Sequence, residues 1–144
     1  MSQSPDEVDL TTAIIARLRE QCPGLVSVSE AMMTEAIDDF NEDVPCAQVY
    51  LAEDGAAGEP AIGGRRQMIG QVYGVWLVAK LGDDYRTHRK ALRDALFGWQ
   101  PEVSGDAMAY QSGKVDKIVG PYTFWIEFWS INTWYRSSDR AVTI

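Results

Sequence analysis

Proton transfer, nucleophilic attack and metal binding each need particular side chains at workable spacing, and few candidates stand in this chain. The single histidine, His88, lies within Arg86-Thr87-His88-Arg89-Lys90. On a helix it falls four and eight residues before Leu92 and Leu96, which mark the apolar stripe. No second ligand stands at i+3 or i+4, so a boundary histidine is expected. Cys22 and Cys46 form neither a CxxC unit nor a metal-ligand spacing, and as nucleophiles both would depend on His88. Asp38-Asp39 and Asp83-Asp84 are paired carboxylates, but neighbours on a helix point about 100° apart and do not converge on one substrate atom. They fit helix ends and solubility better. The acidic run Asp38 to Asp43 lacks the sixth-position glycine and twelfth-position glutamate of a calcium loop. Gly63-Gly64-Arg65-Arg66 precedes a strand, whereas a phosphate cradle needs GxxxxGK[ST] before a helix. The aromatic segment Tyr122 to Arg136 lacks the interleaved cations of a base-stacking platform. No catalytic residue, metal or cofactor is expected.

The elements that would position such groups follow from length and patterning. With 144 residues, 46% hydrophobic and 24% charged, one globular domain is expected over the whole chain, with 1–5 and 137–144 as loose or docking tails. Thirteen Lys plus Arg against 21 Asp plus Glu give a formal charge of -8, which disfavours a protein that grips duplex phosphates. The acidic start, Met1 to Asp9, has no basic or apolar leader region. The longest near-apolar stretch, Val72 to Ala79, is far short of the roughly 20 residues that span a bilayer. A soluble protein made in a reducing cytosol is the expectation.

Apolar residues at Val8, Leu10, Ile14, Ile15 and Leu18 predict a helix over Asp6–Gln21, stopped by Pro23-Gly24. Leu25–Val28 predicts a short strand or link, and Ser29–Phe40 a short helix. Pro45–Glu53 predicts a strand, Asp54–Gly64 an exposed hairpin loop poor in packing groups, and Arg65–Ala79 a long strand that Gly70 and Gly74 can bend. A second helix is predicted over Asp83–Phe97, capped by Asp83 or Asp84, with Gly98 as its left-handed C′ residue. Ala107–Gln111 and Lys114–Val119 predict two short strands, and Tyr122–Arg136 a long aromatic one. Its alternation sets Phe124, Ile126, Phe128, Ser130, Asn132 and Trp134 on one face. Trp125, Glu127, Trp129, Ile131, Thr133 and Tyr135 take the other. The order predicts an α+β fold, an antiparallel sheet with two main helices packed on one side.

Large apolar groups on both faces of the last strand exceed what one core face needs. Either the rings fill the core and stay half exposed, or another subunit covers a sheet face or edge. On the second reading Arg65, Arg66, Trp125, Trp129 and Trp134 are candidate interface residues.

The segment Ala91 to Pro101 (ALRDALFGWQP) resembles the tail terminator, or tail completion, proteins of long-tailed bacteriophages, particularly the Mu-like and siphophage group. Leu96, Gly98, Trp99 and Pro101 carry the likeness: Gly98 ends the helix, Trp99 folds back as a plug, and Pro101 redirects the chain. The order of an opening helix, Pro45–Tyr50, a glycine-rich loop, Gln67–Ala79 and Phe124–Tyr135 extends it over most of the chain. The resemblance implies a structural virion protein of the tail or neck, assembled in the bacterial host cytoplasm, with no catalytic residues and no membrane partner. It implies a ring, usually a hexamer, that caps the tail tube, stops its polymerisation and joins the head connector, while DNA passes through the lumen. Acidic residues lining that lumen would let phosphates slide. A head-tail connector or tail tube subunit is the alternative, and an unrelated small ligand-binding module or enzyme a second one.

Overall fold

The computed structural model describes residues 9–31, 44–61, 63–64, 66–80, 85–102 and 105–136. Seven elements follow in chain order: α1 (Thr11–Gln21), β1 (Ser27–Glu30), β2 (Cys46–Ala56), β3 (Arg66–Lys80), α2 (Tyr85–Leu96), β4 (Ala109–Val119) and β5 (Tyr122–Arg136). The strands form one sheet in the order β1-β2-β3-β5-β4. An α+β fold is thus borne out, with one change. β1 runs parallel to β2, while every other neighbouring pair is antiparallel, so the sheet is mixed. A parallel pair needs a connection of about a dozen residues or more to bring the chain back, and the span from Ala31 to Pro45 has that length.

Both helices cover one face. Ile14 and Leu18 of α1 and Leu92, Ala95 and Leu96 of α2 pack on Val49, Tyr73, Val75, Leu77, Trp129 and Ile131 in one buried cluster. Asp9 prepares the start of α1, its Oδ1 accepting the Thr11 N–H at 3.1 Å. Arg17 ties the helices together: its Nε donates to the Ala95 carbonyl at 2.9 Å, an acceptor at the end of α2 where the helical ladder runs out.

Three element predictions change. Ser29 and Glu30 belong to β1, opposite Gln48 and Val49, and the Ala31 N–H donates to Val49 O at 2.9 Å, so no helix starts at Ser29; residues 32–40 of that prediction, and the caps Asp83 and Asp84, lie outside the described residues. The predicted loop is a strand at its start, because Asp54, Gly55 and Ala56 pair with Gln71, Gly70 and Ile69. Pairing continues as Ala57 N–H donates to Met68 O at 2.9 Å and Ala61 N–H to Arg66 O at 2.7 Å. This arm, the outer strand of a sheet in which β3 stays paired with β5 as far as Arg66, is exposed along residues 53–60. Backbone ladders need no apolar side chains, which is why composition hid it. The two short strands before the last turn are one, β4, irregular between Tyr110 and Ser112 and between Val115 and Lys117. Gly113 does not break it. A Cβ there would stand 2.6 Å from the Tyr110 hydroxyl and 2.7 Å from Trp125 Cζ2, so glycine lets these rings close over the strand. Gly113→Val is expected to cost about 1–3 kcal/mol through overpacking, read as a lower urea midpoint with unchanged slope.

Candidate interaction site

The segment after α2 takes the shape its sequence suggests. Gly98 has φ +77°, its N–H donates to Met108 O at 3.0 Å, and Met108 N–H donates to Trp99 O at 2.8 Å. Leu96 is fully buried, Trp99 packs half-buried against the core, and the Arg17 guanidinium lies 5.3 Å from the centre of the Trp99 ring. Pro101 is half-buried. Gly98→Ala is expected to destabilise by about 1–2 kcal/mol, the cost of a left-handed non-glycine residue, visible as a lower melting temperature.

Of the five candidate interface residues, the structure separates two groups. Trp125 and Trp129 sit on the face the helices cover, and Trp129 is 0% exposed. Their interface role is corrected to one inside the subunit, since side chains sealed beneath α1 and α2 have no surface to offer. The sequence shows that they share a face but not which face the helices take. Glu127 stands between them, also 0% exposed. Its Oε2 accepts the Trp125 Nε1–H at 3.0 Å and its Oε1 the Trp129 Nε1–H at 3.1 Å. Trp134 and Arg66 come together on the opposite face, with the guanidinium 4.2 Å from the ring centre. Arg65 lies outside the described residues.

Cations stacked on aromatic rings recur along α2. Arg89 lies 4.0 Å from the centre of the Trp125 ring and Arg93 4.5 Å from that of Tyr110. The Arg89 Nε is buried without a hydrogen-bond acceptor, so ring contact holds its plane. Among the described residues the salt bridge is Lys90 Nζ to Asp94 Oδ2 at 2.6 Å. At the arm's base a cleft of about 230 Å³ is lined by Leu10, Asp54, Ile69, Glu102 and Tyr135, among others. Beneath this acidic end the Tyr73 hydroxyl accepts the Leu10 N–H at 2.6 Å and donates to Gln71 Oε1 at 2.8 Å.

His88 rests against Gly24, its Cε1 3.1 Å from where a Cβ would be, the boundary position expected. No group of three or more His, Cys, Asp or Glu that could hold a metal occurs among the described residues, and no helix there is long and apolar enough to cross a membrane. Asp38 to Asp43 lies outside them. Cys22 and Cys46 are buried and not joined in a disulfide. Burial pushes the Cys22 thiol up from 9.0 to about 11, with Arg17 pulling it down and Asp94 raising it. Its folded-state pKa is thus above the unfolded one, so the folded state holds the proton longer and stability falls between about pH 9 and 11. Cys22→Ala is expected to shrink that fall, read from melting temperatures across the window.

A protein-family model described as Phage tail terminator protein matches residues 6–137. A comparison with curated proteins finds no match.

Proposed function

The chain belongs to the phage tail terminator family, and on that footing we propose that it forms a closed ring, a hexamer, that caps the finished tail tube and receives the head connector. Membership gives a structural role in the phage tail; capping is the finer reading. The family match over 6–137 carries it. The whole chain acts as one domain in this reading, and one sheet spanned by a single helix-covered core supports that. Ring closure needs one patch to fit a different patch on the next copy. The arm, exposed and held to β3 by its ladder, offers a surface for such a contact.

Two measurements test the proposal. Light scattering after size exclusion, at rising concentration, should give a discrete oligomer, and negative-stain images should show a ring with a central hole. Added to growing tail tubes, the protein should stop elongation. Continued growth that incorporates it would make it a tube subunit, and a strict monomer that binds no tube would sink the proposal. The lumen is expected to be acidic, in keeping with a net charge of -8; a basic lumen in a map of the ring would remove that part.

A further inference from the structure

The two lateral edges of the sheet are both unpaired among the described residues, and they differ in charge. On one side β1 covers β2 from Cys46 to Val49, and among the described residues the rest of β2 has no neighbouring strand on its outer side. That edge and the arm beyond it carry Glu53, Asp54 and Glu59, all exposed. None of the three has a cation within salt-bridge distance among the described residues. Arg66, at the far end of the arm where its carbonyl accepts the Ala61 N–H, is turned over Trp134 instead.

The other edge is β4, the last strand in the order. Its outer rim exposes Val115 (48%) and Ile118 (56%), large apolar groups left uncovered. Along the same flank run Arg86, Arg89 and Arg93 of α2, spaced three and four residues apart and hence on one helix face. Two of them are held flat by Trp125 and Tyr110, which fixes their place before any partner arrives. Of the acids nearby, Glu127 is buried with both oxygens held by indole N–H groups, Asp94 is engaged by Lys90, and Asp116 stands between Lys114 and Lys117. An apolar pair beside a row of three guanidinium groups, two of them held by rings, fits a partner that is acidic and extended.

We propose that these edges are the two halves of one interface between copies of this chain, the acidic arm of one copy lying along the Arg86–Arg89–Arg93 flank and the Val115–Ile118 rim of the next. The occupant is a second copy because the same chain carries both complementary surfaces on opposite sides of one sheet. Contacts of that kind run head to tail, so they close rings or extend filaments. Covering β4 also removes an open edge with exposed apolar residues, a known route to uncontrolled pairing. The proposal rests on the ring reading above and names the surfaces that reading leaves open.

Charge reversal tests it with the full chain. Glu53→Lys/Asp54→Lys and Arg86→Glu/Arg93→Glu each set like charges against each other, and each should weaken self-association at least about a hundredfold. Both variants should keep the wild-type far-UV circular dichroism spectrum, since none of the four residues lies in the core. Mixed in equal amounts they should assemble, because each supplies the charge the other lacks and an even ring can alternate them. Raising salt from 0.1 to 1 M should weaken the wild-type assembly as the Debye length falls from about 10 to about 3 Å. Reversed variants that assemble like the wild type, or a mixture that stays apart, overturn the interface while leaving a ring intact. Loss of tube binding by the arginine variant with normal self-association would assign that flank to the tube protein and also overturn it. A wild-type chain that neither self-associates nor rings a tail tube overturns the ring reading, and this interface with it.

Discussion

Glu127→Ala is expected to remove about 3–5 kcal/mol of stability, enough to threaten a fold whose total lies at roughly 5–15 kcal/mol. The carboxylate is completely buried, and its two oxygens each accept one indole N–H, from Trp125 and from Trp129. Hydrogen bonds to a charged group are worth about 1.5–3 kcal/mol each, and alanine leaves both indoles without an acceptor in a dry site. Glu127→Gln separates charge from shape. Its amide oxygen serves one indole, but its NH₂ faces the other donor, so about half the loss is expected. Urea unfolding followed by tryptophan fluorescence measures both, and a Gln variant as stable as the wild type would show that the carboxylate does not organise these rings.

How much of this was legible in the sequence differs by element, for physical reasons. α2 was readable because Ala91, Leu92, Ala95 and Leu96 keep the helical period and Gly98 marks its end, as its φ of +77° shows. β5 was readable from alternation, since its helix-covered row matches the predicted face from Trp125 to Thr133. The arm was not, because its pairing is carried by backbone groups that composition does not report. The parallel β1–β2 pair was hidden too: direction depends on where the connection returns the chain, not on the residues that pair. At the candidate surfaces, Arg66 and Trp134 do meet, whereas Trp125 and Trp129, for all their size, turn inward. Glu127 between them was the overlooked signal, a lone carboxylate two residues from each indole in a greasy row. Arg89, Arg93, Val115 and Ile118 were missed because the flank they form exists only once α2 lies beside β4.

Tyr73→Phe is expected to cost about 2–4 kcal/mol although it deletes a single oxygen. Tyr73 is fully buried in the middle of β3, and its hydroxyl joins two elements, taking the Leu10 amide proton and giving its own to Gln71. Phenylalanine fills the same space, so nearly all the loss comes from the buried partners left behind, about 1–3 kcal/mol apiece. The damage should be local first. Leu10 stands immediately before α1, and its amide is one of the donors that a helix start cannot satisfy from within. Hydrogen exchange at Leu10 should therefore accelerate more than exchange in β5, which a uniform loosening of the fold would not produce. The hydroxyl also sets an alkaline limit. Burial raises its pKa well above 10.0, the Leu10 N–H lowers it, and the carboxylates of Asp9, Asp54 and Glu102 raise it further. Folded-state pKa above unfolded means that the stability it contributes is complete below about pH 10 and is lost above it. The wild type should thus shed stability above pH 10 by an amount that Tyr73→Phe no longer shows. Equal alkaline losses in the two proteins would place the sensitive group elsewhere.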